Sequence, residues 1–308
     1  MGDEERVAMV PTSQRSARWI ARSIGMTLLV VALWTTGGVG AHTIVATTTI
    51  VGDVVRQVAG PAADVAVLLP VDSDPHAFQP TPQDVVAVAE ADVVFASGAG
   101  LEAELSTLLA NATGPVVSLS DGLALRVLAE DGEPDPHVWF DPTYVMVWTR
   151  RIAEVLAELW PTEAPAFRQR AAAYREELAA LDLWIWQETE SIPTANRGLV
   201  LDHEVLGYFA ARYGFERLGS LSPGFSPSAE PSARELAELE TVINAHRVAA
   251  LFVGTTVNPV LAEAVAADTG ATIVMLYTGS LSGANGPASD YIAFMQYDVA
   301  AMVNALTP

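Results

Sequence analysis

From His42 onward, short runs of β-branched and other apolar residues alternate with stretches whose apolar positions recur at helical spacing. HTIVATTTI at 42–50 precedes VGDVVRQVA, ADVAVLLP at 63–70 precedes PQDVVAVAE, and ADVVFASG at 91–98 precedes LEAELSTLLANA, with PVVSLSD at 115–121 closing the series. The order predicts strand, helix, strand, helix. The strand candidates are nearly continuous apolar runs, as parallel strands covered on both faces read, so residues 42–142 are expected to form an α/β lobe. Residues 143–160 and 163–192 then read as helix almost throughout, interrupted at Trp160-Pro161-Thr162. The second piece, about 30 residues, would span on the order of 45 Å, longer than an ordinary crossover helix and suited to joining two lobes as a rigid link. Pro193 and Gly198 close it, and the alternation resumes with GLVLD, EVLGYFAARYG, ERLGSLS, ARELAELETVINAH, VAALFVGT, NPVLAEAVAADTG and ATIVMLY before a last helix from about Ser289 to Leu306. The predicted organisation is therefore a helical segment at 143–195 between α/β lobes at 42–142 and 196–308, the second repeating the element order of the first.

Residues 1–41 break this pattern. Arg6, Arg15, Arg18 and Arg22 precede the apolar run Ile24–Trp34, and Val39 and Ala41 fit the −3 and −1 positions of a signal-peptidase site. The run is well short of the roughly 20 residues a membrane-spanning helix needs, so an export signal is expected in preference to a retained anchor. The remainder is expected to be extracytoplasmic, with His42 as a frayed first residue.

Composition narrows the chemistry. Arg supplies all 16 cations against 37 acidic residues, giving a formal charge of −21 that repels phosphate backbones and argues against nucleic-acid binding. With no Cys there are no disulfides, thiolate metal sites or lipid-modified Cys. Any metal is left to His and carboxylates. The Gly-rich loop Ser280–Pro287 carries no phosphate-binding pattern, no GxSxG is present, and Ser280 and Ser282 read as turn formers.

Three of the five His fall where strands hand over to loops or helices: His76 in DSDPHAFQP, His137 in EPDPHVWFDP and His203 in LVLDHEVLGYF. In α/β sheets ligands bind beyond the carboxyl ends of strands, so these positions point to a shared crevice. Each has an Asp within two residues, Asp74, Asp135 and Asp202, able to fix an imidazole's tautomer if it accepts the free ring N–H. His246 is read as a cation at a helix C-terminus. Phe78, Trp139, Phe140, Tyr208 and Phe209 are candidates for core or for the dry walls of a site.

The ordered stretches DPHAFQPTPQD, ADVVFASGAGLE, DPHVWFDP, DHEVLGYFAARYG, EPSARELAELE, NPVLAEAVAADTG and YTGSLSGANGPASDYIAFM resemble the metal-specific solute-binding proteins of ABC importers, the zinc- and manganese-binding group. The resemblance spans about Thr43 to Ala305. It implies two (βα) lobes bridged by one long rigid helix, one metal ion in the inter-lobe cleft held by His76, His137 and His203, delivery to a membrane permease as a monomer, and no catalysis. Where that family commonly carries Thr-Asp-Ser with a carboxylate ligand, this chain has Thr278-Gly279-Ser280. The fourth position is then open to water or another carboxylate, Glu204, Glu230 and Asp290 being candidates. A long His- and Asp-rich loop is also absent between residues 76 and 137, so no metal-scavenging loop is expected.

Three imidazoles lean towards Zn²⁺, whereas Mn²⁺, the alternative, favours oxygen-rich sites. Protons are expected to compete for the ring nitrogens below about pH 6.5. Three His with an open position are also the layout of a catalytic zinc centre, so a zinc hydrolase is the rival reading.

Overall fold

The computed structural model describes residues 42–61, 63–127 and 132–307; the expected export segment lies outside them. In the first lobe β1 (His42–Ala46), α1 (Thr49–Ala59), β2 (Ala63–Val67), α2 (Pro82–Glu90), β3 (Val93–Ala96), α3 (Ser106–Leu109) and β4 (Val116–Ser118) build a four-stranded sheet in the order β2-β1-β3-β4, every neighbouring pair parallel. Helices α4 (Pro142–Leu159) and α5 (Ala164–Glu190) follow. The second lobe comprises β5 (Gly198–Leu201), α6 (Gly207–Tyr213), β6 (Glu216–Ser220), α7 (Ala233–His246), β7 (Ala250–Gly254), α8 (Val260–Thr269) and β8 (Thr272–Leu276), its sheet ordered β6-β5-β7-β8 and again parallel, and α9 (Tyr291–Leu306) ends the chain. No helix among the described residues is long and apolar enough to cross a membrane.

The inner strands β3 and β7 are buried along their whole length, which is why their sequences show no polar alternation. Their helices cover both faces. Along α5, Phe167, Ala171, Tyr174, Leu178, Leu181 and Ile185 repeat at three and four residues and are all buried, a single stripe packed on α1, α4 and α9. At 27 residues α5 spans about 40 Å, and it carries one core shared by both sheets.

A second link was not foreseen. The 278–291 segment leaves the second lobe and is stitched to the first: Leu281 N–H donates to Thr49 Oγ1 at 2.8 Å, Asp72 N–H to Ser280 Oγ at 3.0 Å, and Tyr291 N–H to Asp53 Oδ2 at 3.0 Å. Ser282 Oγ accepts from Ala288 N–H within the same loop, so both serines serve as turn and strap formers.

Local departures from the sequence reading have physical causes. The first strand stops at Ala46 rather than reaching Ile50, because Thr48 adopts an extended conformation and its hydroxyl accepts from Val51 N–H, starting α1 early. LEAELSTLLANA forms only a 3₁₀ turn and the short α3. Glu102, which would sit in its first turn, is buried and its carboxylate accepts from Thr47 Oγ1 and the Ser97 and Gly98 amides instead. His42 is not frayed. It is buried at the start of β1, stacked 3.8 Å from Trp160 and bonded through Nε2 to Glu163 at 2.6 Å.

Candidate metal centre

His76, His137 and His203 are brought together: one ligand atom from each lies within 4.8 Å of the others, and no other His or carboxylate among the described residues joins the group. His76 comes from the β2–α2 loop, His137 opens the 3₁₀ turn leading into α4, and His203 follows β5, so the first lobe supplies two rings and the second supplies one. His76 Nε2 and His137 Nε2 are 3.3 Å apart. Two nitrogens at about 2.05 Å from one tetrahedral ion are separated by about 3.3 Å, so this spacing is that of two ligands on one zinc-sized centre.

Carboxylates behind two rings set their tautomers. Asp135 Oδ1 accepts from both the backbone N–H and ring Nδ1 of His137, at 3.0 and 2.9 Å. Asp202 Oδ1 accepts the same pair from His203, each at 2.7 Å, while its Oδ2 accepts from Gly254 N–H at 2.7 Å. With Nδ1 as donor, the Nε2 lone pair of each ring is free for a cation. Asp74 departs from the expected pattern: it accepts from the His76 backbone N–H at 2.9 Å and shapes the turn rather than the ring.

Two glycines permit this arrangement. A Cβ on Gly207 would stand 2.4 Å from Asp135 Oδ2, and one on Gly254 would stand 2.4 Å from Thr278 Oγ1 and 3.1 Å from Asp202 Oδ2. Neither was singled out in the sequence, where each reads as an ordinary helix or strand boundary. Tyr208 adds support by donating to the Asp135 carbonyl at 2.9 Å.

Burial governs the protonation of His76 and His137. It pushes His76 down to about 3, helped by the neighbouring His137, and holds His137 well below the ordinary imidazole range, with His203 adding to the effect. Burial also raises the Asp135 carboxyl to about 7. His76 and His137 are thus held in the neutral form that binds a cation.

The cavity among the rings measures about 10 Å³ and is walled by Asp74, Pro75, Pro227, Thr256, Thr278 and Gly279 besides the three His. Of the aromatic candidates, Trp139 reaches the site edge-on, 5.3 Å from His137, and its indole N–H donates to the Thr278 carbonyl at 3.1 Å. Phe140 and Phe209 belong to the main core, and Phe78 packs on a satellite cluster. Phe225, 6.1 Å from His137, is a wall the sequence reading missed. Its signal was an aromatic inside the otherwise small and polar PGFSPS stretch.

Gly279 does line the cavity, with Pro75 so near that a Cβ there would approach Pro75 Cδ to 2.7 Å. None of the three acidic alternatives reaches it. Glu204 pairs with Arg217, Asp290 caps α9 by accepting from Ala293 N–H, and Glu230 is exposed beside a different cavity. His246 ends α7, as the helix-terminus reading predicts.

Two parallel α/β lobes bridged by a long helix, with three imidazoles facing one another between them, define a bilobed binding protein whose donor set suits one small cation. Residues 44–305 match the family described as zinc-uptake complex component A, periplasmic (ZnuA), and the chain belongs to that family. It is 31% identical to the manganese-binding lipoprotein MntA of Halalkalibacterium halodurans, across 86% of this chain and 88% of that protein. Among solved structures it is similar to the periplasmic zinc-binding protein TroA of Treponema pallidum, at a TM-score of 0.82 and 27% identity over 87% of this chain and 100% of that one. A Mn-bound periplasmic metal-binding protein from Candidatus Liberibacter asiaticus superposes at a TM-score of 0.78 with 25% identity, over 85% and 98% of the respective chains.

Proposed function

We infer that this protein captures a divalent metal ion outside the cytoplasm, as a monomer, and delivers it to the membrane permease of an ABC importer. His76, His137 and His203 are the ligands, and Zn²⁺ is the primary cargo. The observation that carries the reading is the 3.3 Å separation of two imidazole nitrogens in a buried group of three, with carboxylates aligned behind two of the rings. Neutral nitrogen donors at that spacing favour tetrahedral zinc over ions that prefer oxygen. Mn²⁺ is the alternative cargo, supported by the likeness to the manganese-binding MntA and the Mn-bound Liberibacter protein.

The hydrolase reading is disfavoured by size. As the walls stand, the cavity of about 10 Å³ has room for one water-sized ligand at most and shows no substrate pocket beside the rings. The ion is cargo, and no turnover is expected.

Calorimetric titration with zinc and manganese tests the assignment. Zinc is expected to bind at one equivalent and more tightly than manganese. His76→Ala, His137→Ala and His203→Ala are each expected to abolish tight binding while the fold is retained. Wild-type affinity in all three variants would show that the rings are not the ligands; preference for manganese would reverse the cargo and keep the site.

A further inference from the structure

One wall of the three-histidine cavity is barely attached to the rest of the molecule. After Ser222 the chain runs Pro223-Gly224-Phe225-Ser226-Pro227-Ser228-Ala229-Glu230-Pro231, and Ser232 then caps α7. Among the described residues this segment bonds to its surroundings only where Glu204 N–H donates to the Gly224 carbonyl at 2.9 Å and where the adjacent Ser222 hydroxyl reaches the Pro227 carbonyl at 3.4 Å. Three prolines remove donors and keep it stiff, whereas Gly224, at φ +83° with open space where a Cβ would stand, supplies a joint at one end.

The same segment divides two cavities. On one side Pro227 lines the space among the rings, and the Phe225 ring stands 6.1 Å from that of His137, tilted by 58°. On the other lies a cavity of about 480 Å³, bounded by Pro227, Ala229 and Pro231 and, opposite them, by Val253, Val257 and Leu261. Asp202, the carboxylate behind His203, also lines that larger cavity. Two other segments around the cavity are tied by hydrogen bonds: Asp72, just before the His76 turn, donates its N–H to Ser280, and the Thr278 carbonyl accepts from the Trp139 indole.

We propose that residues 224–231 are the ion's gate, hinged at Gly224 and swinging into the larger cavity so that His76, His137 and His203 meet solvent while both lobes stay in place. The gate rests on the metal-capture reading above. It assigns entry and release to one loop of the second lobe, and makes Phe225 the latch that the closed state holds against His137.

Hydrogen–deuterium exchange on the wild-type chain, with and without one equivalent of Zn²⁺, reads the gate directly. Amides of residues 225, 226 and 228–230 are expected to exchange freely without the ion and to gain protection with it, while the bonded amides of Leu281, Ser282, Ala288 and Tyr291 remain protected in both states. Release of zinc to excess chelator, followed by stopped flow, supplies the second reading. Phe225→Ala is expected to accelerate release about tenfold, and Ala264→Phe, which fills the larger cavity from an exposed position, to slow it by a similar factor. Equal protection of the 225, 226 and 228–230 amides in both states, or release rates in Phe225→Ala within twofold of wild type, overturns the gate while zinc capture stands. Failure of the wild-type chain to bind zinc or manganese at all overturns capture and the gate together.

Discussion

At the scale of single residues, the site depends on a few atoms placed behind the imidazoles. Asp135 receives the His137 ring N–H, and Gly207 leaves room for that carboxylate with nothing to spare. Gly207→Ala is therefore expected to displace Asp135 and lower zinc affinity by about 10- to 100-fold, the usual effect of losing an outer hydrogen bond to a ligating His. Chelator competition would measure it, and unchanged affinity would mean that Asp135 does not support the ligand. The neutral rings also set the pH response. Three ordinary imidazoles would give up three protons to a metal below about pH 6, a loss of about 1000-fold in affinity per pH unit. Burial lowers His76 to about 3 and keeps His137 well below its usual range, so these two rings carry fewer protons for a metal to displace. The expected fall between pH 6.5 and 5 is thus much shallower than about 1000-fold per unit, as titrations across that range would show. The competition foreseen from ordinary imidazoles moves to lower pH because burial, invisible in the sequence, penalises the charged ring. The same shift has a stability consequence with a definite sign. Between about 3 and 6.5 the unfolded chain binds protons at His76 that the folded chain refuses, so the metal-free protein loses stability as pH falls through that window.

At the scale of elements, what could be read from the sequence was what local patterning controls. The strands β3 and β7, the break at Trp160-Pro161, and the long α5 follow from apolar runs, a proline and helical spacing, all of which act over a few residues. The three His were legible because each stands beside an Asp at an element boundary. What stayed hidden was set by partners distant in the chain. Glu102 leaves its helix for amides after β3, His42 is held by Glu163, and Phe225 meets His137 across the two lobes. The strap at 278–291 belongs to this second group, since only the folded chain brings Leu281 to Thr49. Thr49→Val removes the acceptor for the Leu281 amide in a partly buried setting and is expected to cost about 1 kcal/mol, read as a lower denaturation midpoint, with faster exchange of that amide. A midpoint equal to wild type would show that the strap adds no stability.

At the scale of the whole molecule, two links of different kinds hold the lobes. Helix α5 packs one continuous apolar stripe into a core that both sheets share, and the strap bonds the second lobe to Thr49, Asp53 and Asp72 of the first. A hinge between the lobes would have to break those hydrogen bonds and part the shared core together, whereas binding proteins that close around a ligand bend at a few residues with little buried across the joint. The three rings proposed as ligands are nevertheless divided between the lobes, so a small displacement of His203 relative to His76 and His137 would be enough to spoil that coordination sphere. Release then calls for only a local movement of a wall, and capture needs no closure of the whole. Small-angle scattering of the metal-free and zinc-loaded protein is accordingly expected to give superimposable curves with the same radius of gyration. A measurable compaction on adding zinc would mean that the helix and the strap yield, and that the ion is enclosed by motion of the lobes themselves.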